Sequence, residues 1–312
     1  MNGTVTTGGT VTPGSSARPP RSGRPDGGTA PRGRALVQRL GFLLLGLASL
    51  AVVAPILLVV GTIVAKGAAA IDWEFLSAMP RSGMKEGGIL PAIVGTLLLT
   101  LGTALAAVPI GVGGAIYLSE YARDNALTRS IRLAIVNLAG IPSIVYALFG
   151  LGMFVLFLRF GTSILAGSLT LAIMTLPIVI STAEEALRAV PTEFRTVVLS
   201  LGGSRWQAVK TVVLPQAMPG IITGVLLGLL RAAGETAPIL FTAAAFYLPR
   251  LPRSPLDQTM ALPYHLYVIS TQVPGMPDSV KFGTALVLLS LVLSMNVAAT
   301  LIRRRFRRKR TW

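Results

Sequence analysis

Six long apolar runs, separated by short stretches that collect most of the charge, set the pattern of this 312-residue chain. They fall at roughly 40–65, 91–117, 131–158, 163–183, 217–245 and 282–302. About 20 apolar residues in a helix cross the hydrocarbon core of a bilayer. The pattern therefore predicts an all-α, polytopic membrane protein with six transmembrane helices. Gly140-Ile141-Pro142-Ser143 lies inside the third run and is expected to kink or break it. Pro109, Pro177 and Pro238 lie in or near other runs, where neighbouring helices can satisfy the backbone groups that proline frees.

Outside the runs, residues 1–36 are rich in Gly, Pro, Thr, Ser and Arg and hold no apolar core of a cleaved signal. Such a segment buries too little surface to offset its ordering entropy, so it is predicted to be disordered. The membrane domain then covers 37–303, and 304–312 form a basic C-terminus. The segment 191–215 between the fourth and fifth runs has a pattern of its own. Phe194, Val197, Val198 and Leu201 stand at i, i+3, i+4 and i+7, one face of a helix. Gly202-Gly203 then offers a C-terminal stop. Ser204 and Gln207 have capping-box spacing for a second helix, expected to run through Trp206, Val209 and Val213 to Leu214-Pro215. This helical hairpin either rests its apolar face on lipid or on its own spans, or presents it to a partner.

Composition sharpens the picture. Hydrophobic residues make up 52% of the chain and charged residues 13%, against about 25% charged in a soluble domain. There is no cysteine, which excludes disulfides, thiolate zinc sites and cysteine nucleophiles. The net charge of +16 would suit nucleic acid if it were clustered on one face. Its placement follows topology instead. With the N-terminus in the cytoplasm, inside segments carry 20 of the 28 Lys and Arg, outside segments carry 7, and Arg231 alone lies within a span. Both termini are then inside, and the cluster Arg303 to Arg310 sits where anionic lipid head groups attract it.

Two tests for chemistry follow. A P-loop needs Gly directly before its Lys, whereas Lys66, Lys85, Lys210, Lys281 and Lys309 follow Ala, Met, Val, Val and Arg. The chain is thus not read as an enzyme, and ATP and its magnesium would belong to another polypeptide. Gly111 to Ile116 (GVGGAI) lies in the second run and reads as close helix packing. His265, the single histidine, reads as surface packing in an outside loop, and one histidine makes no metal site. Arg231 and Glu235 lie within the fifth run, about 20 Å in at helical rise, and four residues apart they share one helix face. A mid-span arginine costs roughly 2.5–3.5 kcal/mol and usually faces an interior or a pathway. The pair is either a self-neutralising structural contact or a substrate-pathway site, with Arg231 offering bidentate donors to an oxyanion.

Six stretches in order, GGILPAIVGTLLLT (87–100), AIYLSEYA (115–122), IPSIVYALFG (141–150), LPIVISTAEEALRAVP (176–191), LGGSRWQAVKTVVLPQAMPGI (201–221) and RAAGETAPILFTA (231–243), resemble the PstA-type permease subunits of phosphate-specific ABC importers. The resemblance covers nearly the whole chain beyond residue 36. It implies a type I ABC-importer permease fold and a substrate pathway that includes Arg231 and Glu235. It also implies partners: a sister permease in a heterodimer, two cytoplasmic ATPase subunits and an external phosphate-binding protein in the inner membrane of a bacterial cell. The hairpin is similar to the family's ATPase-coupling loop, which assigns coupling to Phe194, Val197, Val198, Leu201, Gly202, Arg205, Leu214 and Pro215. The family's glycine and Leu-Pro are present, but Thr196 stands where its glutamate is usual. Residues 71–76 resemble the family's external helix after the first span. Readings that compete with a phosphate permease are one for molybdate or sulfate, a secondary transporter or channel without an ATPase, and a non-transporting scaffold.

Overall fold

The computed structural model describes residues 32–308, so the expected disordered tail lies outside the described residues up to 31. The chain divides into two compact units, Met1–Leu57 and Leu58–Trp312. Helix α1 (Arg32–Gly67) begins in the first unit, at Arg32 rather than after residue 36, and tolerates Pro55 in its interior. Everything that follows belongs to the second unit.

After α1 the chain forms α2 (Trp73–Ser77), started by Asp72, whose carboxylate accepts from the Phe75 amide at 2.7 Å. A two-residue hairpin of β1 (Pro80–Arg81) and β2 (Glu86–Gly87) follows, pairing Pro80 with Gly87. Then come α3 (Leu90–Ile116), ending in a π turn over Tyr117–Tyr121, and α4 (Ala126–Ala139). Helix α5 (Ser143–Gly150) continues as a π stretch to Phe157. Next are α6 (Ile164–Arg188), α7 (Thr192–Ser200), α8 (Arg205–Ala208), α9 (Leu214–Gly234), α10 (Ala237–Leu240), α11 (Leu262–Thr271) and α12 (Asp278–Arg308).

Among the described residues five helical stretches are long and apolar enough to cross a membrane, and six if α4 with α5 counts as one. That pair is bent by 102°. The bend has a covalent cause: Pro142 has no N–H to give to the carbonyl four residues back, at Leu138. The Tyr146 hydroxyl takes that place, donating to the Leu138 carbonyl at 2.7 Å. The expected break therefore falls where the proline put it.

The fifth run departs from expectation. Helix α9 stops at Gly234 instead of continuing to 245, because the Pro238 ring would strike the Gly234 carbonyl and offers it no hydrogen. At its other end the run reaches further back than expected. Arg205–Gly234 is one continuous helical stretch, so α8 does not end at Leu214-Pro215 but runs through the π turn into α9. Pro215 is accommodated by the π turn over Val209–Val213 just before it.

The centre of the unit is the α3–α6 pair, packed through small residues. Gly111 meets Val179 and Gly167 meets Leu99 and Ala243. Hydroxyls buried here do not go unpaired: Thr96, Thr100, Thr103 and Thr170 each donate to the carbonyl four residues back at 2.7–2.8 Å. Two apolar cores result. One gathers Phe75, Leu99, Tyr146, Ile239, Leu262 and Val268, and the other gathers Ala183, Leu187, Val190, Val213 and Ile221 near the α7–α8 hairpin.

The segment 241–261 is folded, although proline-rich. Carbonyls of Thr242, Asp257 and Pro255 accept from the amides of Ser163, Ile164 and Leu165 at 2.8–2.9 Å. They thus satisfy donors that the first turn of α6 would leave open. His265 is also not at the surface. It is buried in α11 within the first core, a correction to the surface-packing expectation.

Candidate functional site

Arg231 lies in the last turn of α9, not midway along a continuous helix. The helix end is where a cation is favoured, since the dipole leaves its negative pole there. Glu235 is the first residue beyond, with extended backbone (φ −76°, ψ 136°). The pair still meets: Arg231 Nε donates to Glu235 Oε1 at 3.2 Å. The two side chains differ in setting, Arg231 being 41% exposed and Glu235 18%. Glu235 faces a small cleft lined by Thr96, Thr100, Ala232 and Pro263. Among the described residues Nη1 and Nη2 of Arg231 make no hydrogen bond, so the fork that suits an oxyanion stays open.

The hairpin forms as its caps dictate. Gly202 takes the left-handed backbone (φ 80°) that ends α7, and Gly203 N donates to the Val198 carbonyl at 3.0 Å. The Ser204 hydroxyl accepts from the Gln207 amide at 3.2 Å while the Gln207 side chain accepts from the Ser204 amide at 2.7 Å, a complete capping box. The expected single apolar face is divided, however. Phe194 packs into the second core and Val198 lies against Gly203. Val197 and Leu201 point away from the bundle, 58% and 83% exposed. They border an open groove with Thr192, Glu193, Thr196 and Ser200. Thr196 is exposed there, its hydroxyl donating to Thr192 O at 3.2 Å. Arg205 is exposed at the start of α8, and Leu214 and Pro215 are half-buried in the first turn of α9.

Two ionic clusters went unnoticed in the sequence. Arg195 on α7 grips Glu120 in the π turn after α3 with two bonds, at 2.7 and 3.0 Å. Arg132 on α4 reaches Glu184 on α6 at 2.8 Å, and Arg188 shares that carboxylate at 2.9 Å. A usable signal existed, since an apolar chain places few acids at span ends. Which cation each acid meets, 75 or 52 residues away, is set only by the fold. Among the described residues no group of three or more His, Asp or Glu could hold a metal ion.

Comparison with known proteins places this arrangement. Residues 107–310 match the sequence profile of the binding-protein-dependent transport system inner membrane component. The chain belongs to that family. It is a multi-pass membrane protein of the ABC-importer permeases, which are not themselves catalytic. A relative from Bacillus subtilis, described as a probable ABC transporter permease protein YqgI, is 34% identical over 85% of this chain and 95% of its own length. A Methanocaldococcus jannaschii relative, described as a probable phosphate transport system permease protein PstA, is also 34% identical, over 85% and 92%. The fold is shared with a bacterial ABC transporter that imports the acidic polysaccharide alginate, at 13% identity and a TM-score of 0.65, over 88% of this chain and 99% of that one. The type I ABC-importer permease architecture is thus the architecture of this permease.

Proposed function

We propose that this permease carries inorganic phosphate as one half of a heterodimeric pathway, driven by ATP that two separate cytoplasmic ATPase subunits hydrolyse. The reading is supported by the relatives described as phosphate permeases, and one observation carries it to residues. Arg231, at the end of an interrupted helix, keeps two amino groups available while Glu235 holds the third nitrogen. A guanidinium so arranged binds an oxyanion bidentately, and Glu235 competes for it, limiting how long the anion stays. An external binding protein delivers phosphate, and both termini face the cytoplasm, as the lysine and arginine distribution favours. ATP-driven closure of the ATPases moves the α7–α8 hairpin and rocks the spans around the level of Arg231.

Radiolabelled phosphate uptake into vesicles holding the complete complex tests this. Arg231→Ala is expected to lower uptake at least about tenfold, the loss of one charge-assisted contact of roughly 1.5–3 kcal/mol, while the complex still assembles. Normal uptake by an assembled Arg231→Ala complex would refute the role. Competition by molybdate or sulfate in the same vesicles identifies a different oxyanion, and uptake without ATPase subunits would identify a secondary transporter.

A further inference from the structure

We infer that the Arg195–Glu120 pair is the joint through which motion of the α7–α8 hairpin reaches the membrane helices, making both of them positioning residues for transport. The inference rests on the coupling role proposed above for the hairpin.

The joint is built from one guanidinium and five oxygen acceptors. Arg195 Nε and Nη2 hold the two carboxylate oxygens of Glu120 at 3.0 and 2.7 Å. Nη2 also donates to Leu187 O at 2.9 Å, and Nη1 to Val190 O at 2.7 Å and Pro191 O at 3.3 Å. A single side chain of α7 is therefore fastened to the end of α3, to Leu187 in the last turn of α6 and to the turn that joins α6 to α7. Both partners are largely removed from solvent, Arg195 at 19% and Glu120 at 9% exposure. A planar fork with two parallel bonds fixes orientation as well as distance, which a lysine could not do. Beside Arg195, Phe194 packs into the core made by α3, α6, α9 and the π turn before α9, so the inner face of α7 is fixed while its outer face stays open for a partner.

The point of attachment on α3 is itself unusual. Tyr117–Tyr121 is a π turn, in which Ala122 N donates to Tyr117 O at 2.8 Å. Such turns often mark functional positions. It is held from a second side, where Arg132 Nη2 donates to Leu118 O at 2.8 Å while Nε holds Glu184 of α6. Two arginines, from α4 and α7, thus close on the same five residues. A push on α7 is delivered to α3, which the chain does not join to it directly, and not only to α6 and α9, to which the two ends of the hairpin are already joined through the chain. A displaced surface helix moves a packed bundle only through such contiguous contacts.

The alternative role for Arg195 is capping of the Leu187, Val190 and Pro191 carbonyls alone. Glu120→Gln separates the two, because it removes the charge pair and leaves Arg195 free to cap. The complete complex carrying Glu120→Gln is expected to retain its ATPase subunits and to hydrolyse ATP, while phosphate moved per ATP falls about fivefold or more. Glu120→Asp, which keeps the charge with a shorter reach, is expected to fall between Gln and wild type. Wild-type phosphate per ATP in the Glu120→Gln complex would overturn the inference. Loss of the ATPase subunits from both variants would also overturn it, by showing an assembly role. A second readout does not depend on the cargo. The chain has no cysteine, so spin labels placed by Leu199→Cys on α7 and Leu105→Cys on α3 report one distance. That distance is expected to stay fixed between nucleotide-free and ATP-bound complexes in wild type and to change in Glu120→Gln. Equal behaviour of the two would overturn the joint. A wild-type complex that moves no phosphate would instead count against the proposed cargo, leaving the distance measurement to decide the joint.

Discussion

His265 shows how one side chain can carry a pH dependence. It is buried in α11, and neither ring nitrogen has a hydrogen-bond partner among the described residues. Burial alone pushes its pKa from 6.5 down to about 4, because the imidazolium would lose its hydration without gaining a partner. The folded value lies below the unfolded one, so protons bind the unfolded chain first. The neutral ring contributes its stability fully above about 6.5, and this is lost progressively as pH falls towards 4. The gap corresponds to about 3 kcal/mol. Unfolding of the detergent-solubilised permease should therefore show a steeper loss of stability between pH 7 and 4 than His265→Leu, which has nothing there to titrate. At pH 7.5 the variant should be at least as stable, since it removes two unpaired polar atoms from the core. Parallel pH profiles for the two proteins would show the imidazole to be hydrated.

At the scale of elements, proline chemistry decided what could be read ahead. The bend between α4 and α5 was legible because Pro142 follows Gly140 inside one apolar run. The stop at Gly234 depends on the same physics at Pro238, yet apolar residues continue to Ala245 and hide it. Hydropathy measures whether a segment tolerates lipid, and both a helix and a helix-break-helix pass that test. The hairpin was legible in its caps, which are local, and not in its facing. A stripe at i, i+3, i+4 and i+7 spans enough of the surface that Phe194 and Val198 can turn inwards while Val197 and Leu201 turn out. The Arg195–Glu120 contact was illegible because no spacing rule joins residues 75 apart. The outward pair gives a prediction. Leu201→Asp and Val197→Asp touch no core, so the permease should fold and enter the membrane normally. Recovery of the ATPase subunits with it should drop about tenfold or more, the cost of putting a charge into an apolar contact. Undiminished recovery would mean that the ATPases dock elsewhere.

For the whole molecule, the proposed orientation rests on the same charges that make the chain basic. Lysine and arginine near short loops resist crossing the membrane, so the side that keeps most of them stays in the cytoplasm. The α7–α8 hairpin carries Arg195, Arg205 and Lys210 in few residues. The folded segment 241–261 carries Arg250 and Arg253 beside Asp257, whose carboxyl two backbone amides, of Arg253 and Ser254, hold below the ordinary carboxylate range. The two regions are joined through α8, the π turn and α9, one continuous helical stretch from Arg205 to Gly234. Thirty residues at helical rise cover about 45 Å, more than the roughly 30 Å of hydrocarbon, so they emerge on opposite faces. Because the protein has no cysteine, the assignment can be tested without background. A membrane-impermeant thiol reagent added to intact cells should label Ser254→Cys, which is exposed. It should leave Ser200→Cys untouched until the membrane is opened. The reverse pattern would put the hairpin outside, beyond reach of any cytoplasmic ATPase, and ATP could then not be what drives phosphate past Arg231.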